Sequence, residues 1–284
     1  KNQFACGSFM LLNSQKQTPY TIVVSTPLLK GLVTQLLGPD VQVVSIVPPN
    51  VAPELYVPSN QDLIHFTTAD MVVMHSLDLP SISLDNVGHS DTKRIDLDLF
   101  VNSFFKERQG DVKYYWVDLL MWQGVAYYLK EVFKETFPEK KSEIIYRWEV
   151  YSSQLLDLQK YVENRLLGVD FEKNHCVTND PALMHFLQFL KIKCQFISVT
   201  KDMSDVVLTN MIQAFSAHQN NVVFTSPFYA EDTMRKLGDS SLAQGVVLTV
   251  VPHVYLLNVG GVGADSVTYS DTIRLAVNIL ADAL

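Results

Sequence analysis

Apolar positions along the first hundred residues switch between two periods. Thr21–Thr26 is a β-branched run that reads as a strand, and Pro27–Leu37 repeats its leucines at helical spacing. Gly38-Pro39-Asp40 stops that helix and turns the chain. Val41–Val47 reads as the next strand, Gln61–Thr68 as a short helix and Met71–His75 as a third strand, while Ser81–Asp96 is polar and turn-rich and reads as a loop. Strands separated by single helices imply right-handed crossovers and a parallel sheet.

Glu143–Leu167 is different in kind. Ile144, Trp148, Tyr151, Leu155, Leu158, Val162 and Leu166 recur at spacings of three and four, an apolar stripe along one helix, with Pro138 before it and Gly168 after it. At 1.5 Å per residue such a helix spans roughly 37 Å, enough to run the length of a two-domain protein. The alternation then resumes: strands at His175–Thr178, Gln195–Val199, Val222–Phe224 and Val246–Val251, and helices at Pro181–Leu190, Asp205–Ala217, Ala230–Leu237 and Ser270–Leu284. The pattern predicts an α/β protein of two lobes, each a parallel sheet flanked by helices, bridged by one long rigid helix. The divisions fall at 1–138, 139–168 and 169–284. Ligands of open parallel sheets bind beyond the carboxyl ends of the strands, so the cleft between the lobes is the expected site.

A chain of 284 residues, 48% hydrophobic, can bury the core that two domains need. A net charge of −8 without charge blocks argues against nucleic acid, which is bound through basic contacts to phosphate. No apolar run reaches the length of a membrane span. The opening Lys1–Gln17 does not read as a signal peptide, so the targeting segment of an exported protein is expected to have been cut away or omitted from this sequence. Cys6, Cys176 and Cys194 form no C-x-x-C pair; Cys176 and Cys194 fall on neighbouring strands, as two buried thiols or a bridge.

The segment Val47–Tyr56, V-P-P-N-V-A-P-E-L-Y, carries the most information, because Pro48, Pro49, Pro53, Tyr56 and Pro58 have the layout of V-P-P-G-x-D-P-H-x-Y-x-P. Gly38-Pro39-Asp40-Val41 has the form G-x-x-V, and Ala69-Asp70-Met71-Val72-Val73 the form A-D-L-V-V. Tyr115-Trp116-Val117-Asp118 resembles the end of P-H-x-W-L-D, Asn179-Asp180-Pro181-Ala182 resembles H-D-A-F, and Tyr269 to Asn278 resembles Y-x-x-x-M-R-x-N. In this order, from about Tyr20 to the end, the chain resembles the metal-binding (manganese, zinc or iron type) substrate-binding proteins of ABC importers. That resemblance implies two lobes on a stiff helix, a metal between them, an ABC permease as partner, and a monomer that is periplasmic or lipid-anchored outside a bacterial membrane. A single stiff connector also implies opening by small tilts rather than wide hinging.

The resemblance also places the ligands, and each is replaced. Glu54 stands where the first histidine belongs, Tyr114 where the second does and Asn179 where the third does. Ser226 takes the place of an acidic ligand, and a further aspartate aligns with Pro252, or with His253 one residue on. Glu54, Tyr114, Asn179 and Ser226 offer oxygen donors only, and Lys113 adds positive charge beside Tyr114. Glu54 and His253 are the best metal candidates. Tyrosinate with carboxylate suits ferric iron, and His175 offers another imidazole.

The remaining histidines read as structural or surface residues: His65 and His185 within helices, His75 at a strand end, His89 and His218 in polar loops. The run Tyr114, Tyr115, Trp116, Trp122, Tyr127 and Tyr128 reads as core, with Tyr114 free to line a pocket. Gly260-Gly261-Val262-Gly263 lacks a phosphate-loop pattern, and there is no G-x-S-x-G or H-E-x-x-H. No acid/base pair supports an enzyme. The expectation is an extracytoplasmic solute-binding protein with a non-standard or degenerate metal site, its cargo a divalent or ferric cation. The alternative is a metal-independent binding or cell-surface adhesion module on the same fold.

Overall fold

The computed structural model describes residues 20–49, 51, 53–75, 79, 82–83, 85, 87–105, 112–169, 174–192, 194–196, 204–216, 220–225, 231–252 and 268–284. The first lobe holds β1 (Thr21–Val24), α1 (Pro27–Leu37), β2 (Gln42–Ser45), α2 (Asn60–Thr67), β3 (Met71–Met74), β4 (Lys93–Asp96), α3 (Leu97–Phe104) and α4 (Leu119–Thr136). The connector is α5 (Lys141–Arg165). The second lobe holds β5 (Asn174–Thr178), α6 (Pro181–Phe189), β6 (Cys194–Phe196), α7 (Asp205–Ser216), β7 (Asn220–Thr225), α8 (Glu231–Ala243), β8 (Thr249–Pro252) and α9 (Tyr269–Ala283). Each lobe has one four-stranded parallel sheet, ordered β2-β1-β3-β4 and β6-β5-β7-β8. The two orders are the same, and so is the way each lobe begins. Thr26 and Asp180 cap α1 and α6, each followed by a proline whose missing N–H costs a first turn nothing.

Strand alternation decides which core each residue enters. Ile22 and Val24 face the large core built around α5, while Val23 faces a smaller cluster with Phe66 of α2. In the second lobe Cys176 joins the large core, and Val177 packs with Ile212 and Phe215 of α7. The buried stripe of α5 is Ile144, Tyr151, Leu155, Leu158 and Val162, so one continuous core contains residues of both lobes and the helix between them. The start of α5 is held against α1: Lys140 pairs with Asp40 at 3.2 Å, and the Arg147 guanidinium lies where a Cβ on Gly38 would stand, 2.7 Å away. Gly38 also has φ +80°, so this C-cap excludes a side chain on two counts. Its far end is held against α9, where Asn278 accepts from Tyr161 Oη at 2.6 Å and from Arg165 Nε at 3.0 Å.

Three features differ from the sequence reading. Lys93–Asp96, read as loop, is strand β4 at the sheet edge, where only Ile95 of K-R-I-D is buried; charged side chains suit an exposed edge. Helices α3 and α4 occupy a stretch to which the pattern assigns no elements. Tyr127 is 51% exposed, outside the core, and with Phe100, Phe104, Tyr128 and Trp148 it lines an apolar surface groove of about 530 Å³. Cys176 is buried, and the β5–β6 ladder registers it with Cys194. The Gly260–Gly263 cluster and His218 lie outside the described residues.

Because one core serves both lobes, Leu158→Ala in α5 is expected to lower stability by about 2–5 kcal/mol. Urea unfolding should stay a single transition by both tryptophan fluorescence and circular dichroism. Two separated transitions would show that the lobes fold independently.

Candidate functional site

In both sheets the first strand lies inside, with its successor on one side and the third strand on the other. The chain therefore leaves in opposite directions at the carboxyl ends of β1 and β3, and again at β5 and β7. Crevices of this kind are where open parallel sheets bind ligands. Val24 is registered with Val73, and Thr178 with Phe224. Counting on by one residue makes Ser25 the counterpart of Asn179 and Met74 the counterpart of Thr225, with His75 the residue that follows β3.

Of the residues singled out from sequence, Tyr114 and Asn179 are described in full. Tyr114 lies in the 3-10 segment Val112–Val117, where its own backbone breaks the helical path (φ −107°, ψ 40°). It is buried, and its ring packs on Trp116 at 5.5 Å and on His185 of α6 at 4.9 Å. That contact joins the two lobes at the start of the second sheet's first crossover helix. Asn179, one residue past β5, is 3% exposed. Glu54 sits on the 3-10 turn Pro53–Leu55, beyond the carboxyl end of β2; its side chain lies outside the described residues. The loop around it is anchored, because the Tyr56 hydroxyl donates to Asp62 at 2.7 Å while Asp62 also closes the capping box of α2 with Ser59. That hydrogen bond to the carboxylate pushes the Tyr56 phenol up to about 12. Ser226, His253 and the side chains of Lys113 and His175 lie outside the described residues.

Two histidines that read as structural stand beside these positions. His185 is the partner of Tyr114 just described. His75 follows β3, is 1% exposed, and donates its backbone N–H to Ser25 Oγ at 3.1 Å, tying the ends of β1 and β3 together. Its Nδ1 is hydrogen-bonded to the Tyr115 hydroxyl, and its ring lies 5.0 Å from that of Trp116. Its Nε2 is buried without a hydrogen-bond partner, and so is the indole Nε1 of Trp116. Burial alone lowers the His75 pKa to about 3, so the ring is neutral at any physiological pH. The signal for His75 in the sequence is the repeat of strand, two residues and helix-starting proline in Ser25-Thr26-Pro27 and Asn179-Asp180-Pro181.

The segment bearing Tyr114 is fastened to the second lobe from behind. Tyr269, first residue of α9, donates its hydroxyl to the Trp116 carbonyl at 2.7 Å and stacks on Trp122 at 5.0 Å. Trp122 in turn donates Nε1–H to Tyr151 Oη of α5 at 2.8 Å. Burial raises the pKa of both tyrosines, which stay neutral.

Chemically, the described part of this region offers a phenol, a carboxamide, two imidazoles and an indole N–H. Among the described residues no three His, Cys, Asp or Glu side chains gather closely enough to hold a metal ion.

Two α/β lobes joined by one long helix are the architecture of a two-lobe solute-binding protein. Residues 22–283 match the family described as ZnuA, zinc-uptake complex component A, periplasmic, and the chain belongs to it. It is therefore an extracytoplasmic substrate-binding protein of metal-ion import, in a family of transport receptors that work with an ABC permease and its ATPase. The zinc-binding protein TroA of Treponema pallidum is 20% identical over 275 residues, covering 93% of this chain and 88% of TroA. The metal ABC transporter substrate-binding lipoprotein SloC of Streptococcus mutans is 24% identical over 214 residues, covering 68% of this chain and 66% of SloC. Among solved structures, TroA superposes with a TM-score of 0.80 at 17% identity, covering 93% of this chain and 99% of that one. The cadmium-bound periplasmic metal-binding protein of Candidatus Liberibacter asiaticus gives 0.73 at 14% identity, covering 93% and 98%.

His75 makes stability depend on pH. Its pKa is about 6.5 in the unfolded chain and about 3 in the folded one. Between these values the unfolded chain binds a proton that the native state does not, so stability falls as pH drops from about 6.5 toward 3, by up to ~1.4 kcal/mol per unit. Denaturant titrations of the metal-free protein at stepped pH should show a shallower acid loss in His75→Gln than in wild type. Equal slopes would contradict a neutral buried ring.

Proposed function

We propose that this receptor takes a divalent or ferric cation in the cleft between its lobes through a ligand set of its own. Glu54, Tyr114, Asn179, Ser226 and His253 occupy the positions that hold metal in the family, with Glu54 and His253 the strongest donors. The observation that carries the reading is the packing of Tyr114 on His185. It supports a closed meeting point of the two crevices at the position of the family's second ligand. An anionic carboxylate and an imidazole added to the phenol and carboxamide make a mixed oxygen–nitrogen set, open to zinc, manganese or iron. The TroA name specifies zinc for that protein, which favours testing zinc first.

On this reading the protein performs no catalysis. It acts as a monomer, held at the membrane by a lipid anchor or free in the periplasm, and delivers its ion to the permease. The lobes divide at 1–138 and 169–284, and the helix of 139–168 limits their motion to small tilts. The alternative is a metal-independent binding module on the same fold.

Elemental analysis by plasma mass spectrometry, with thermal melts in manganese, zinc, ferrous and ferric salts, separates the two. The cation receptor is expected to carry one metal per chain and to gain about 4 kcal/mol when the free ion is near 1,000 times its Kd. Glu54→Ala should weaken that gain by at least ~10-fold in ion concentration. No bound metal and no shifted melt would establish the metal-independent module.

A further inference from the structure

His75 combines four properties that a structural histidine does not need. It stands at the carboxyl end of β3, at the crevice where β1 and β3 diverge, with its backbone N–H bonded to Ser25 Oγ at the end of β1. One ring nitrogen, Nδ1, is fixed by the Tyr115 hydroxyl. The other, Nε2, is buried with no partner. The Trp116 ring lies 5.0 Å from the His75 ring, and its indole N–H is also buried and unpartnered. Each orphaned group carries a desolvation cost that no hydrogen bond within the protein offsets. Two such groups on contacting rings, at the crevice where β1 and β3 diverge, point to an occupant.

Metal-ligating histidines have this arrangement: one nitrogen is held by a hydrogen bond that fixes ring and tautomer, leaving the other lone pair for the ion. We propose that His75 is a cargo ligand of this receptor, binding a zinc-class divalent cation through Nε2 with Nδ1–H donating to Tyr115. The inference rests on the reading of the cleft as a cation site and supplies the nitrogen donor that Tyr114 and Asn179 lack. An oxygen ligand on the ion is then the acceptor that the Trp116 indole N–H is missing. One occupant thereby accounts for both orphaned groups. Borderline imidazole nitrogen also favours zinc over manganese, which prefers an all-oxygen set. Tyr115 becomes a positioning residue, acting on the ion only through His75.

The test uses zinc ion alone with the full chain. The wild-type complex should show imidazole scattering in its zinc K-edge absorption spectrum. His75→Gln should lose scattering by one imidazole and bind on the order of 100-fold more weakly, and Tyr115→Phe about 10- to 100-fold more weakly with the scattering kept. Zinc titration of wild-type protein labelled with ¹⁵N-histidine reads the Nε2 resonance of His75 directly, without relying on a variant's fold. That resonance should shift in step with occupancy. Zinc bound with unchanged affinity and scattering in His75→Gln, or an unmoved Nε2 resonance, overturns the role of His75 while leaving the cation receptor standing. A wild-type chain that takes up no zinc and no other cation overturns both.

Discussion

Everything at the lobe interface depends on the aromatic knot of Trp122, Tyr151 and Tyr269. Its members come from α4, α5 and α9, so one cluster clamps the first lobe, the connector and the last helix together. Tyr269 then reaches past Trp122 to the carbonyl of Trp116, in the segment that carries Tyr114, Tyr115 and Trp116. Trp122 donates to Tyr151 and Tyr269 to the Trp116 carbonyl, both in burial, where water does not compete for the bonds. Loss of the Tyr269 hydroxyl would free the Trp116 carbonyl and, with it, the orientation of three aromatic side chains at the crevice.

This geometry shows how the frame of the receptor is held. Tyr114 takes part in it through its ring contact with His185, while the caps and the knot are built by Thr26, Asp180, Trp122, Tyr151 and Tyr269. Asp180 caps α6 whatever residue stands at 179, and Asp62 anchors the loop of Glu54 through Tyr56 whatever stands at 54. Fold and chemistry are therefore free to change separately. Against Tyr115 and Trp116 lies a neutral histidine, His75, hydrogen-bonded at Nδ1 and unpartnered at Nε2.

Much of this was legible in the residues, and the exceptions have physical causes. Helix α1 can be read end to end because Thr26, Pro27 and Gly38 mark its limits, and α5 because its stripe is long and its outer face polar. Helix α4 hides its period, since Leu120 and Tyr127 are apolar on the exposed side and blur the contrast between faces. Strand β4 is concealed by the charges that protect an edge. The family and its fold followed from the motifs around Glu54, Tyr114 and Asn179. His75 did not, because a single buried imidazole at a strand end looks like any core histidine until β1–β3 and β5–β7 are laid in register.

The central claim is that the family's frame still receives a cation, now through His75. Crystals grown with zinc and measured on both sides of the zinc absorption edge test it in one experiment. The account predicts an anomalous peak at the lobe interface within bonding distance, roughly 2.0–2.1 Å, of His75 Nε2. A peak confined to surface histidines such as His65 or His89, or no peak at the interface in zinc-saturated crystals, would contradict it.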